Sequence, residues 1–261
     1  MRRIHENDNK TEGGNQMKRV LTIALYLCIL IVMPIPLSAE DIIMAQANIL
    51  FDKGKSNHEN YKKSGDIFVK ASEANPSSYE AAWKAARSYR EYADESQMRN
   101  VPNWKAICKE YGKLGMKYGE RAITLNPNGV EGHYWHGVSV GDYADAVSVF
   151  TALTEGLKDK TQRSFEKAYQ LNKMYDDGGP MIALGRFWYV LPWPMQDKKL
   201  SLKYLREFQK SFPNDARGQV YLAETLMATG EKDEAKVLLQ NASSSSEKFF
   251  AEWAKRLLAE N

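Results

Sequence analysis

This 261-residue chain has few cysteines and histidines, two and four respectively. It also has no long block of like charge. Its 36 basic residues are nearly balanced by 33 acidic ones. An electrostatic nucleic-acid-binding protein shows a clustered basic face instead, so we expect no nucleic-acid partner. A disulfide scaffold is excluded too, and packing must therefore hold the fold.

We recognise no motif of several common catalytic sites, including the phosphate-binding loop, the nucleophile elbow, HExxH and CxxC. His133 and His136 are three residues apart and could offer two ligands to one metal ion on a helix. The alternative is that both are polar residues at a helix interface, since no third ligand is evident. We predict a non-enzymatic protein with no catalytic residue, no metal site and no cofactor.

The first 39 residues have the pattern of an export signal. Met17-Lys18-Arg19 is a short basic start, residues 20–33 form an apolar run, and Leu37-Ser38-Ala39 offers a small-residue cleavage site. The run is shorter than the roughly 20 residues that a spanning helix needs, which favours a cleaved signal peptide at 17–39 over an uncleaved anchor. Residues 1–16 form a polar leader, and Met17 is an alternative start. The predicted location is the periplasm or cell envelope.

Neither cysteine has a predicted chemical role. Cys28 follows the bulky Leu25-Tyr26-Leu27 inside the apolar run and matches a lipoprotein box poorly, so we do not expect a lipid anchor. Cleavage after residue 39 leaves Cys108 alone, and a single cysteine cannot form an internal disulfide. We interpret Cys108 as a buried small apolar residue rather than a nucleophile.

Residues 40–261 repeat apolar positions at helical spacing, and no stretch alternates convincingly with the period of a strand. Asn75-Pro76, Asn126-Pro127 and Pro213-Asn214 are stop signals that follow helices. Helices are predicted over 42–51, 61–74, 79–94, 104–125, 130–141, 144–153 and 156–171, with further helices after 180, 194 and 214. The fold class is therefore all-α, as one helical-repeat domain over 40–261.

The clearest repeat begins after Pro213, with Val220-Tyr221-Leu222-Ala223, a turn at Gly230 and a small residue at Ala235. This order is the tetratricopeptide pattern, which predicts a right-handed solenoid of helical hairpins. Apolar residues at 249–258 predict a C-terminal helix that caps the array. The helix stops at residues 76, 127, 173 and 213 are 51, 46 and 40 residues apart, against about 34 for a standard repeat. We expect the extra residues mainly in the turns within pairs.

The segment 176–205 is predicted to form one helical hairpin. Asp176-Asp177-Gly178-Gly179-Pro180 opens it as a turn, and Pro192-Trp193-Pro194 breaks it. The two aspartates are interpreted as caps of the next helix, the alternative being paired carboxylates for acid–base chemistry. A glycine inside a helix costs about 1 kcal/mol, so Gly185, like the glycines at 112, 115 and 119, indicates a closely packed neighbour.

Aromatic residues cluster in two neighbouring repeats, and they supply the candidate binding residues. One interpretation is ordinary core packing; the other is a groove on the concave face of a solenoid, with an apolar pocket for a hydrophobic small molecule. Arg186 is the charged residue in this set, and it either pairs with Asp177 or meets an anionic ligand group. The candidate partner- or ligand-binding residues are Tyr134, Trp135, His136, Arg186, Trp188, Tyr189 and Trp193.

Several stretches resemble the T-component family of tripartite ATP-independent periplasmic (TRAP) transporters, over about residues 60 to 242. They are Gly132-His133-Tyr134-Trp135, Asp176-Asp177-Gly178-Gly179-Pro180, Ala183-Leu184-Gly185-Arg186, Leu191-Pro192-Trp193-Pro194, Asp197-Lys198-Lys199, Tyr221-Leu222-Ala223-Glu224 and Gly230-Glu231-Lys232-Asp233-Glu234-Ala235. The resemblance implies a periplasmic tetratricopeptide-like protein whose partner is a solute-binding protein, and in some members a homotrimer around a hydrophobic pore or cleft. A general envelope scaffold without a transport role is the alternative. The animal regulators of microtubule dynamics share a similar helical repeat, but the export signal argues against a cytoskeletal role.

Overall fold

The computed structural model describes residues 38–260, which contain twelve α-helices. The predicted polar leader, and the predicted signal peptide as far as residue 37, lie outside this range. The first six helices are α1 Ala39–Asp52, α2 Glu59–Ala74, α3 Tyr79–Met98, α4 Trp104–Leu125, α5 Val130–Ala146 and α6 Val149–Thr154. The remaining six are α7 Leu157–Asn172, α8 Tyr175–Val190, α9 Lys198–Ser211, α10 Ala216–Thr229, α11 Lys232–Ala242 and α12 Lys248–Glu260.

Most successive helices pack as hairpins, α5 packs on α7 across the short α6, and several helices also contact one another between hairpins. Besides its hairpin partner, α3 contacts α5, α5 contacts α8, α8 contacts α10, and α10 contacts α12. These five helices form one layer, which we call the inner layer, while α2, α4, α7, α9 and α11 form the outer layer. The all-α tetratricopeptide-like solenoid predicted from the sequence is confirmed. No helix between residues 38 and 260 is both long enough and apolar enough to cross a membrane.

Short polar side chains fix the starts of several helices. Asp197 accepts a hydrogen bond from the amide of Leu200 at 2.9 Å, and Asp215 accepts one from Gly218 at 2.7 Å. Such N-caps satisfy amides that lack a partner within the helix and contribute about 1 kcal/mol each. Gly230 ends α10 with φ +93°, the left-handed conformation that glycine adopts readily.

Glycines bring α4 and α5 unusually close together, as the sequence predicted. A Cβ atom on Gly119 would lie 2.8 Å from the Cα of His136, and one on Gly112 would lie 3.0 Å from the backbone nitrogen of Tyr143. Because these neighbours are backbone atoms, no side-chain rotation could make room. Gly185 does the same for α8 and α9, since its missing side chain leaves the space that Leu205 fills.

The helix lengths differ from the prediction in the second and third hairpins. Helices α3 and α4 have 20 and 22 residues, so the extra length of that repeat lies in its helices rather than in the turn between them. Helix α5 continues to Ala146, five residues beyond its predicted end at 141, and α6 is correspondingly short. The small Ala144 and Ala146 are good helix formers, and nothing at Gly141 obliges the helix to stop.

A left-handed turn stands at the start of α8. Asp176, Asp177 and Gly178 have φ values of 50°, 51° and 78°, and a residue with a Cβ atom loses about 1–2 kcal/mol in this conformation. Gly178 packs on Phe208 of α9 and on Phe212, which directly follows that helix, and the stacked rings of the two phenylalanines have centroids 4.9 Å apart. The two aspartates thus belong to a strained turn between α7 and the regular part of α8, rather than to a simple helix cap.

Candidate functional site: the inner groove

One face of the inner layer encloses a groove of about 1100 Å³. We call it the inner groove. Helices α3, α5, α8, α10 and α12 each contribute side chains to it, and α6 and α7 contribute others, including Leu153 and Lys158. The groove therefore crosses the repeats rather than lying within one of them. Its main lining residues are Arg90, Glu91, Asp94, Tyr134, Asp142, Asp145, Ile182, Arg186, Phe187, Arg217, Tyr221, Phe250, Trp253 and Arg256.

Arg186 stands on the wall that α8, α10 and α12 form. Its Nη1 donates to Oε2 of Glu224 at 2.6 Å, and its guanidinium lies 4.5 Å from the ring centre of Tyr221 and 5.2 Å from that of Trp253. The expected pairing of Arg186 with Asp177 is not the one observed, because Glu224 on the neighbouring inner helix is the nearer carboxylate. Burial raises the pKa of Glu224 and the charge of Arg186 opposes that rise.

The opposite wall, from α3 and α5, is acidic. Nη1 of Arg90 lies 3.1 Å from carboxylate oxygens of both Glu91 and Asp94, and its Nε lies 3.7 Å from Oδ2 of Asp142. Burial raises the pKa of Glu91, and it raises the pKa of Asp142 well above the usual range. One guanidinium therefore serves three carboxylates that are largely withdrawn from water.

Of the predicted binding residues, Tyr134 and Arg186 line the inner groove. Burial, followed by the charge of Asp176, raises the pKa of the Tyr134 hydroxyl. Trp135 is 3% exposed and its Nε1 donates to the Tyr175 hydroxyl at 2.8 Å. His136 is 9% exposed, with Nδ1 2.8 Å from the hydroxyl oxygen of Ser164. Trp135 and His136 thus sit in the interior, among their own partners.

The other three candidates lie farther along the same hairpin. Trp188 is half-buried against Phe187, with ring centroids 5.1 Å apart. The Tyr189 ring lies 5.4 Å from the guanidinium of Arg186. Trp193 is 89% exposed and packs on almost nothing. The structure thus separates the aromatic set into core, groove and surface members, and their part in binding stays a prediction.

The two histidines that could share a metal ion point to different partners. His133 contacts the backbone oxygen of Pro127 at 2.9 Å, whereas His136 faces Ser164. Across residues 38–260, no group of three or more His, Cys, Asp or Glu side chains is placed to hold a metal ion. Cys108 is fully buried, as predicted, and burial raises the pKa of its thiol to about 12.

Sequence reasoning passed over a Gly-x-Ser-x-Gly pattern at 137–141, which in other folds marks a nucleophilic serine. Here Ser139 lies inside α5, is fully buried, and donates to the backbone oxygen of Trp135 at 2.7 Å. A nucleophile elbow instead needs a sharp strand-to-helix turn that exposes the hydroxyl. The pattern is therefore part of the α4–α5 interface, where Ser139 meets Gly115.

Sequence reasoning also missed Arg90, Asp142 and Arg217, which give the groove its charge. Arg90 and Asp142 each stand beside a buried residue of their own helix, Tyr89 before Arg90 and Tyr143 after Asp142. A charged residue within a buried stripe is rare unless it is paired or functional. A charged residue beside apolar residues of a helix was therefore the sequence feature that could have identified Arg90 and Asp142.

The stacked hairpins and the groove along their inner layer define a tetratricopeptide-like helical-repeat protein. TTC0263, a thermophilic tetratricopeptide protein of Thermus thermophilus, is 15% identical with a TM-score of 0.58, covering 84% of this chain and 100% of that one. PilF of Pseudomonas aeruginosa is 13% identical with a TM-score of 0.56, covering 85% and 90%. The type IV pilus biogenesis factor PilW is 13% identical with a TM-score of 0.51, covering 78% and 77%. Identities this low show the fold alone.

The chain belongs to the family described as regulator of microtubule dynamics protein 1-3, whose model matches residues 43–192. No curated protein matches the chain. The matched range runs from α1 to the Leu191-Pro192 end of α8, so it includes the acidic wall of the inner groove and Arg186. The resemblance to the transporter T-component family stays a prediction.

Proposed function

We propose that this protein is a non-enzymatic, exported scaffold that binds a partner protein in its inner groove, as an accessory of a TRAP-type transporter. The observation that carries the proposal is the groove itself, which seven of the described helices build together and which is lined by aromatic and charged side chains. Concave faces of helical-repeat proteins are their usual binding surfaces. The partner we expect is a periplasmic solute-binding protein.

The apolar part of the groove supports a further role in holding a hydrophobic small molecule. Ile182 and Phe187 from α8 and Phe250 and Trp253 from α12 all line the groove. Aromatic and aliphatic side chains are the predominant lining of sites for such ligands. Mass spectrometry of an organic extract of the purified protein tests this, and an extract without a stoichiometric apolar compound would count against it.

Two exposed valines give a matched test of partner binding. Val190 lines the groove and is 51% exposed, whereas Val237 lies on the outer helix α11 and is 56% exposed. Neither Val190→Glu nor Val237→Glu buries a charge, so both variants should fold. Cross-linking in intact cells should recover a solute-binding protein with the wild type and with Val237→Glu, and much less with Val190→Glu. Equal recovery by all three proteins would contradict the groove as the binding surface.

Export is proposed from the predicted signal at 17–39. Fractionation should place the protein in the periplasm or on the envelope, and sequencing of its mature N-terminus should begin at Glu40. A mature protein that begins at Met1 or Met17 and stays in the cytoplasmic fraction would refute export.

Two alternatives use the same surface. A general envelope scaffold would yield other partners in the cross-linking experiment, with the same loss in Val190→Glu. The family description names microtubule dynamics, so a cytoskeletal role is the other alternative, and the predicted export signal opposes it. Co-sedimentation of the purified full chain with microtubules, and its loss in Val190→Glu, would favour that role.

A further inference from the structure

Three carboxylates of the acidic wall share a single cation. The Nη1 of Arg90 divides its contacts between Glu91 and Asp94, each at 3.1 Å, and only the Nε remains for Asp142. That last separation, 3.7 Å to Oδ2, is beyond hydrogen-bond distance. Neither the Nε of Arg90 nor Oδ2 of Asp142 has a hydrogen-bond partner among the described residues, so Arg90 leaves Asp142 incompletely satisfied.

Asp142 itself is buried and has a carboxylate oxygen without a hydrogen bond. The residue is 7% exposed and lines the inner groove, yet its Oδ2 has no hydrogen-bond partner among the described residues. Buried acceptors are nearly always satisfied, and an exception needs an explanation. A donor brought by a ligand would supply the missing hydrogen bond.

Among the described residues, Arg90 is the one cation named among the groups that act most on Asp142. Asp145, one turn farther along α5, lines the groove as well, and the cation that acts on it most is Arg186, which is already paired with Glu224. Arg217 faces Tyr134 and Tyr221 instead. The titratable groups that face Asp142 are Arg90, Glu91 and Asp94 from α3, Cys108 from α4 and Asp145 from its own helix.

We propose that the acidic wall, formed by Glu91, Asp94, Asp142 and Asp145, binds an organic cation: a primary ammonium or guanidinium group on an apolar stem. The N–H groups donate to Asp142 Oδ2 and its neighbours, while Tyr221, Phe250 and Trp253 contact the stem across the groove. The cation is either a free amine or a lysine or arginine side chain of the partner. The inference rests on the proposed function only in using the same groove.

The direct test is calorimetry on the purified full chain, with hexylamine as the probe and hexan-1-ol as its uncharged counterpart. Asp142→Asn removes the charge but keeps the shape, and the matched control is Asp233→Asn, an exposed aspartate of the outer helix α11 that does not line the groove. We expect hexylamine to bind more tightly than hexan-1-ol, and Asp142→Asn to lower its affinity about tenfold or more. Asp233→Asn should change it by less than about twofold.

Proton release separates binding at Asp142 from a merely structural effect. Because burial and the neighbouring carboxylates raise the pKa of Asp142, an ammonium ion that favours its charged form should bind with release of a proton. Measured heats should therefore differ between buffers of different ionisation enthalpy, and affinity should rise with pH. Both effects should be smaller in Asp142→Asn, in which Glu91 and Asp145, whose pKa values burial also raises, remain. If that variant fails to fold, as judged by circular dichroism, Asp145→Asn and Asp94→Asn provide the same comparison.

Acetylated and amidated Phe-Lys-Phe, compared with its norleucine counterpart, identifies the source of the cation. Tighter binding of the lysine peptide than of hexylamine favours a partner side chain, and the reverse favours a free amine. Equal binding of hexylamine and hexan-1-ol, or undiminished binding in Asp142→Asn, would overturn the proposal. Either result would leave the cross-linking comparison of Val190→Glu with Val237→Glu untouched, so the two ideas fail separately.

Discussion

Replacing Gly178 by alanine probes the left-handed turn that begins α8. At φ 78° an alanine incurs the left-handed penalty of about 1–2 kcal/mol, part of which is offset by the smaller entropy of its unfolded chain. Its Cβ would in addition lie 2.5 Å from Phe212 and 3.0 Å from Phe208. Overpacking of this kind costs about 1–3 kcal/mol. We therefore expect Gly178→Ala to lose about 2–4 kcal/mol of unfolding free energy.

Gly156 is the matched control, because it has a similar φ of +64° but a Cβ atom added to it would meet no other atom within 4 Å. Gly156→Ala should lose only about 1 kcal/mol. The difference between the two variants is the packing of the turn on α9, free of the backbone penalty that both share. Urea unfolding of the full chain, followed by circular dichroism at the helical band, measures it.

Equal losses of unfolding free energy in the two variants would refute the inference that the turn packs on the rings of Phe208 and Phe212. An added cost in Gly178→Ala that vanishes when Phe212 is shortened to Leu would support it, because the two changes then act on one contact. Helical repeats can unfold in stages, so the comparison should use the first transition if more than one is seen.

Three further predictions concern the interior. Trp135→Ala should lose about 3–5 kcal/mol, whereas the exposed Trp193→Ala should lose less than about 0.5 kcal/mol, both by urea unfolding; similar losses would contradict their placement. Burial lowers the pKa of His136 to about 4, so its contribution to stability is present above its unfolded pKa of about 6.5 and is lost as pH falls towards 4. At pH 5 this loss is about 2 kcal/mol, and it should be absent from the pH profile of His136→Gln. Cys108 should react with a thiol reagent only at the rate of unfolding; fast labelling of the native protein would disprove its burial.

The periodic part of the fold was predictable because it depends on local rules. Helix α4 begins at Trp104 and ends at Leu125 as expected, since an apolar stripe with three glycines runs to the Asn126-Pro127 stop. The extension of α5 to Ala146 was missed, because the residues after Gly141 fit the end of one helix or the start of the next. Only packing on neighbouring helices decides between them.

The site was less predictable than the fold. Tyr134 and Arg186 were predicted because they lie in aromatic-rich parts of the sequence. The same criterion also selected Trp135, which lies in the core, and Trp193, which is solvent-exposed. The acidic wall depends on α3 and α5 meeting residues that are about fifty positions apart in the chain. No local pattern contains that information.

The described interior holds two large hydrophobic clusters with smaller ones between them, and the groove runs along both large clusters. One large cluster runs from α1 to α5 and takes in Ala168, and the other runs from Met181 to Ala254. Phe165, Leu184 and Phe187 form a small cluster between them. The acidic residues of α3 adjoin the first large cluster, and Tyr221, Phe250 and Trp253 belong to or pack on the second. A molecule bound to both sides of the groove would link the two large clusters, so its binding should make them unfold together and should slow proteolysis of the C-terminal helices.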